Sequence, residues 1–84
     1  WVLNKDGSLS VSGNCSIYSL EQALGREIDV EDDIDVLNGL FFQRLGYVPK
    51  EGERFEFPEF DAEIEKARAS KILKVRIYPK DLKR

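Results

Sequence analysis

The sequence predicts an α+β fold in which a small, mainly antiparallel sheet packs against two short helices. Three observations lead there. Two segments, residues 16–25 and 32–46, carry apolar residues at helical spacing and close on glycine. From residue 54 onward apolar and charged residues alternate, the period of strands with one buried face. A chain of 84 residues has room for one domain with one core, burying roughly 60–65% of the surface its unfolded form exposes, so helices and sheet must share that core.

Residues 1–12 read as a hairpin, with Val2 and Leu3 before the turn residues Lys5, Asp6, Gly7 and Ser8, and with Leu9 and Val11 alternating with serines after it. Gly13 and Asn14 break the second strand. Ser16 suits the N-cap of a short helix whose buried stripe is Ile17, Leu20 and Leu24 and which ends at Gly25. A short acidic link over residues 26–31 leads into the second helix. There Asp32 or Asp33 is expected to accept from the first free amides, with Asp35 adding negative charge beside the positive end of the helix dipole. Leu37, Leu40, Phe41 and Leu45 fall on one face, Gly46 suits a left-handed stop, and Pro49 prevents the helix from resuming.

After Pro49 the period becomes that of a strand, with Phe55 and Phe57 on one side and Arg54 and Glu56 on the other. Phe60, Ala62 and Ile64 then alternate with Asp61, Glu63 and Glu65, and Leu73, Val75 and Ile77 with Lys74 and Arg76. These runs form a hairpin turning at Arg68 and Ala69 or at Ala69 and Ser70. Either turn places the acids of one strand opposite the bases of the other, giving Lys74 and Arg76 acidic partners, each pair contributing about 0.2–1 kcal/mol. The polar tail, residues 79–84, is expected to fray or to lead into further sequence.

The residue types exclude most chemistry. No histidine is present, which removes the commonest general base near neutral pH and the commonest nitrogen metal ligand. The single cysteine, Cys15, forms neither an internal disulfide nor a Cys-rich zinc site, and reads as a small residue near a helix start in a protein of a reducing compartment. Neither common glycine-rich phosphate loop occurs. No catalytic role is expected.

Glu27, Asp29, Glu31, Asp32, Asp33 and Asp35 supply the oxygen ligands that magnesium takes, but lack the glycine and the spaced bidentate glutamate of a calcium loop. They are expected to form a solvated acidic loop without a formed metal site. Across residues 66–84 eight bases face one acid, yet the net charge is −3 and no nucleic-acid partner is expected. Phe41, Phe42, Phe55, Phe57, Phe60 and Tyr78 have the spacing of a core rather than of a flavin pocket, so the isolated domain is expected to carry no cofactor. No apolar run approaches the roughly 20 residues that span a bilayer. The charge separation marks Asp29, Glu31, Asp32 and Asp33 at one pole, and Lys80 and Lys83 at the other, as expected interaction residues. Starting at Trp1 and lacking methionine, the chain is expected to be a piece of a longer protein.

The ordered set Asp6, Gly7 and Ser8, then Gly13, Leu20, Ala23, Leu24 and Gly25, the acidic run before Leu37, then Gly39, Leu40, Leu45, Gly46, Pro49, Gly52 and the closing ILKVRI of residues 72–77 resembles a known family. It is that of the transporter-associated domain of CorC/HlyC proteins, the C-terminal domain of bacterial magnesium and cobalt efflux and hemolysin-like proteins. The likeness runs from about residue 6 to 77. Arg68 and Ala69 depart from the Asp-Gly usual in the last turn, and Ala62 from a larger apolar residue.

The resemblance implies one domain over residues 1–84 and a fold similar to a subdomain of PCMH-type FAD-binding domains, which makes FAD a candidate by fold likeness only. It further implies a membrane-embedded parent with a pair of CBS domains, and a place for this domain on the cytoplasmic side of the cell membrane. The expected function is a non-catalytic regulatory or assembly module that docks on the neighbouring CBS domains or on another copy of the parent, as in a homo-oligomer, and shifts the transporter between conformations by differential contact. The alternative is a flavin- or nucleotide-binding sensor domain.

Overall fold

The computed structural model describes residues 2–31 and 33–80. Seven elements follow one another: β1 (Val2–Leu3), β2 (Leu9–Ser12), α1 (Ile17–Leu24), α2 (Leu37–Leu45), β3 (Arg54–Glu56), β4 (Phe60–Arg68) and β5 (Lys71–Pro79). The strands form one sheet in the order β1-β2-β5-β4-β3, each neighbouring pair antiparallel. This is the α+β architecture expected from the sequence. Among the described residues no helix is long and apolar enough to cross a membrane.

The first hairpin closes where the Asp-Gly signal places it. Asp6 Oδ1 accepts from the Ser8 amide at 3.0 Å and from the Ser8 hydroxyl at 2.6 Å, and these bonds hold the Asp6 carboxyl below the usual carboxylate range. In α1 the Ser16 hydroxyl accepts from the Ser19 amide at 3.0 Å, and Gly25 ends the helix with φ 76°. Gly46 ends α2 in the same left-handed conformation.

The start of α2 differs from expectation. Its N-cap is Val36, without a side-chain cap, and no acid lies in its first turn. The free amides are met from another part of the chain: Leu37 N–H donates to Cys15 O at 2.9 Å and Asn38 N–H to Gly13 O at 2.8 Å. With carbonyls already in place, Asp33 and Asp35 stay exposed. Asp32 lies outside the described residues.

A second junction ties the same loop to the sheet. The Asn38 side-chain amide donates to Ile72 O at 3.0 Å and its oxygen accepts from Ile72 N–H at 2.8 Å, so one side chain serves both backbone groups of a strand residue. Gly13 N–H donates to Leu73 O at 3.2 Å beside it.

The β4–β5 hairpin turns at Ala69 and Ser70, with Arg68 opposite Lys71, but its register breaks twice. Ile64 pairs with Val75 and Lys66 with Lys74, leaving Glu65 extra; Ala67 pairs with Ile72, leaving Leu73 extra. These bulges correct two expectations. Lys74 faces Lys66 rather than an acid, and Ile72 enters the core at 2% exposure while Leu73 is 39% exposed. Arg76 does stand opposite Glu63, yet its Nε donates to Glu65 Oε2 at 2.6 Å. Pro79, expected in a fraying tail, closes β5 opposite Phe60, and residues 81–84 lie outside the described residues.

Ala69 is the only non-glycine among the described residues with positive φ, at 54°. Ala69→Gly is expected to stabilise the fold by about 0.5–1 kcal/mol, because the side chain disfavours this conformation. Chemical denaturation would show this as a higher midpoint at unchanged slope.

One buried cluster joins Leu9, Val11, Ala62, Ile64, Val75 and Ile77 of the sheet to Ile17 and Leu20 of α1 and Leu37, Leu40 and Phe41 of α2. Phe57 and Phe60 are buried and Phe55 packs against them. Phe42, counted in the core from spacing, is 56% exposed, because α2 turns its Leu37, Leu40 and Phe41 side inward. Tyr78 is half-buried and donates to Glu63 Oε1 at 3.3 Å.

Candidate functional site

The acidic link between the helices is held by an ion pair. Arg44, in the last turn of α2, extends its guanidinium to Glu59, in the turn between β3 and β4. Nη1 donates to Oε1 and Nη2 to Oε2, each at 2.8 Å, the parallel fork of a bidentate pair. Nη2 also donates to Asp29 O at 2.7 Å, while Asp29 N–H donates to Glu59 Oε2 at 3.0 Å. The guanidinium carbon stands 4.9 Å from the centre of the Phe57 ring. Glu59 is 4% exposed. The hydrogen bonds from Arg44 outweigh the opposing effect of burial and, with the Asp29 amide, hold its pKa down at about 2.

Further bonds fix the same link. Ile28 N–H donates to Glu21 Oε2 at 2.8 Å, the Ile28 side chain is buried, and Arg26 Nη1 donates to Pro58 O at 3.3 Å. The backbone of residues 26–29 is thereby pinned to α1, α2 and the β3–β4 turn. Glu27, Asp29, Glu31, Asp33 and Asp35 all remain exposed. The pinned backbone presents Glu27 and Asp29, and the exposed row continues through Glu31, Asp33 and Asp35, beside an open cleft of ≈ 830 Å³ lined by Asp29, Glu31, Gln43, Arg44 and Phe57.

Of the residues marked by charge, Asp29, Glu31 and Asp33 lie on this link. Lys80 follows β5, its Nζ 3.2 Å from Asp61 Oδ1. Both poles therefore flank the β3–β4 turn, one through Glu59 and the other through Asp61, but among the described residues no ion pair joins Lys80 to the acidic link. Lys83 lies outside the described residues. Among the described residues no group of three or more His, Cys, Asp or Glu side chains is arranged to hold a metal. Cys15 is half-buried, and burial pushes its thiol pKa up, away from thiolate chemistry.

Sequence reasoning missed Arg44 and Glu59. A signal was present: Glu59 takes the third place of an alternation whose first two members, Phe55 and Phe57, face the core. An acid at such a place needs a cation within the fold, and an arginine on the helix one turn past Phe41 is placed to supply it.

The family model for CorC_HlyC, described as transporter associated domain, matches residues 3–81. No curated protein matches the chain. Among solved structures, the transporter associated domain CorC_HlyC from Nitrosomonas europaea is 25% identical with a TM-score of 0.83, covering 94% of this chain and 94% of that one. The corresponding domain of a Xylella fastidiosa Temecula1 hemolysin, in complex with Mg++ and Mn++, is 26% identical with a TM-score of 0.78, covering 95% of this chain and 96% of that one. The transporter associated domain of a CBS domain protein from Porphyromonas gingivalis, at 21% identity and a TM-score of 0.80 over 95% of this chain and 97% of that one, shares the fold.

Proposed function

Because the chain belongs to the CorC_HlyC transporter associated domain family, we propose that it is a non-catalytic regulatory or assembly module of a membrane ion-efflux protein. It stands at the C-terminus of that protein on the cytoplasmic side and docks on the neighbouring CBS domains or on another copy of the parent. The observation that carries this reading is the clamp on the acidic link: Arg44 and Glu59 fix both backbone groups of Asp29 while the carboxylates around it face solvent. Charge held in one geometry steers a partner and sets its register more than it adds affinity. A contact made in one transporter conformation and lost in another biases the two.

The Xylella fastidiosa domain is in complex with Mg++ and Mn++, but the described carboxylates of this chain do not fit a metal, since no three of them are arranged around one point. Cations are attracted to the link diffusely, and a partner's basic groups compete with them. Of the aromatics open to the flavin alternative, Phe41 meets Phe57 edge-on at 5.5 Å and Arg44 covers Phe57, while Phe42 stays exposed.

The test reverses each pole in the full-length protein, with Glu31→Lys and Asp33→Lys in one variant and Lys80→Glu in another. All three sites are at the surface and Lys80 loses only a half-exposed pair, so stability is expected to move by about 1 kcal/mol or less. Association with the CBS domains is expected to weaken severalfold and to lose part of its salt dependence, with efflux changing alongside. Unchanged association and unchanged efflux in both variants would remove the acidic link and Lys80 as the docking surface.

A further inference from the structure

The outer edge of β3 (Arg54–Glu56) is complementary to itself. Phe57 N–H donates to Phe60 O and Ile64 N–H to Glu53 O, each at 2.9 Å. Alternate residues 53, 55 and 57 therefore turn their backbone groups toward β4, and Arg54 and Glu56 turn theirs away from the sheet. The side chains follow the same alternation: Phe55 packs on the core, while Arg54 and Glu56 are exposed together. Among the described residues neither forms an ion pair. Across β3 and β4, Arg54 stands opposite Glu63 and Glu56 opposite Asp61, a like-charge pair in which Lys80 serves Asp61 and Glu56 forms no ion pair among the described residues.

We propose that β3 pairs antiparallel with β3 of a second copy of this chain, about a two-fold axis through Phe55, joining the two five-stranded sheets into one. In this register the outward backbone groups of Arg54 meet those of Glu56 in the second copy, twice over, and each Arg54 side chain lies beside the Glu56 that lacks a cation. Neighbouring registers fail on charge. A shift one way sets Arg54 against Arg54, and a shift the other way sets Glu56 against Glu56 and Arg54 against Pro58, which has no N–H to give. Pro58 also ends the ladder just beyond the strand, and because the two-fold pairing uses the β3 edge of both copies, the contact closes on two rather than propagating. So short an edge makes a weak contact, with a dissociation constant on the order of a millimolar for free chains. It strengthens where two copies are held in one assembly.

The experiment compares Arg54→Glu, Glu56→Arg and an equimolar mixture of the two with the unaltered chain, by amide chemical shifts against concentration at low salt. The unaltered chain is expected to show shifts confined to residues 53–57 as it approaches millimolar concentration. Each variant alone places like charges opposite one another and is expected to associate roughly tenfold more weakly. The mixture restores opposite charges at both positions and should recover the association, which local misfolding would not do. Glu56→Arg should in addition raise the melting temperature of the monomer, because it replaces the acid facing Asp61. Absence of shifts in the unaltered chain, shifts indifferent to both reversals, or a mixture as weak as its components would each overturn the proposal.

Discussion

Gly13→Ala is expected to cost at least about 4 kcal/mol and to leave the chain largely unfolded at room temperature. A Cβ on residue 13 would stand 2.1 Å from Ile72 O and 2.7 Å from the Asn38 side-chain nitrogen. Both neighbours are committed, since Asn38 bonds both backbone groups of Ile72 while Gly13 O takes the Asn38 amide at the start of α2. No flexible side chain is there to yield; backbone must move, and the β2–β5 ladder, the entry to α2 and the bulge at Leu73 move with it. Circular dichroism and urea unfolding of the variant would check this, and a midpoint near that of the unaltered chain would refute it.

Arg44→Met is expected to cost about 3–5 kcal/mol at neutral pH, because it strands the Glu59 carboxylate at 4% exposure without its cation. The pair also sets an acid limit for the unaltered chain. Glu59 has a folded pKa of about 2 against an ordinary value of 4.5. A lowered folded pKa contributes stability that is fully present above the unfolded value and is lost as pH falls toward the folded one. About 3 kcal/mol should therefore disappear between roughly pH 5 and 2. In Arg44→Met the sign reverses: the stranded carboxyl has its pKa raised by burial, so acidification should narrow the gap to the unaltered chain. Combining Arg44→Met with Glu59→Leu should recover most of the loss, since no charge is then left buried. Melting curves of the three proteins from pH 3 to 7 would decide, and a Met variant that loses stability in parallel with the unaltered chain would sink the account.

What was legible in the sequence was what the chain decides locally. Ser16 and Gly25 bound α1, Asp6 and Gly7 turn the first hairpin, and Gly46 stops α2, because each acts on amides or dihedrals within a few residues. What was not legible depends on residues far apart. The acids before α2 read as its cap, but the carbonyls of Gly13 and Cys15 reach those amides first, a contact across more than 20 residues. Strict alternation placed Leu73 inside, and two bulges put Ile72 there instead, since a one-residue slip leaves no local mark. The clamp of the candidate site was half legible: Glu59 stands at a core-facing place of the alternation after Phe55 and Phe57, but its partner Arg44 comes from a different element and by itself looks like surface charge. The exposed row from Glu27 to Asp35, by contrast, was plain from composition.

The position of β5 in the sheet has a consequence for how the chain comes to be folded on the ribosome. It is the last of the described strands in chain order, yet it lies between β2 and β4 and, among the described residues, is the only link between the first hairpin and the rest of the sheet. Until residues 71–79 have left the exit tunnel, β2 has one neighbour instead of two, and Asn38 and Gly13 have no Ile72 or Leu73 to bond. The buried face of the sheet stays open for that interval, through most of translation of the domain. Folding of the sheet is therefore expected to complete late, when β5 pairs with β2 and β4 together.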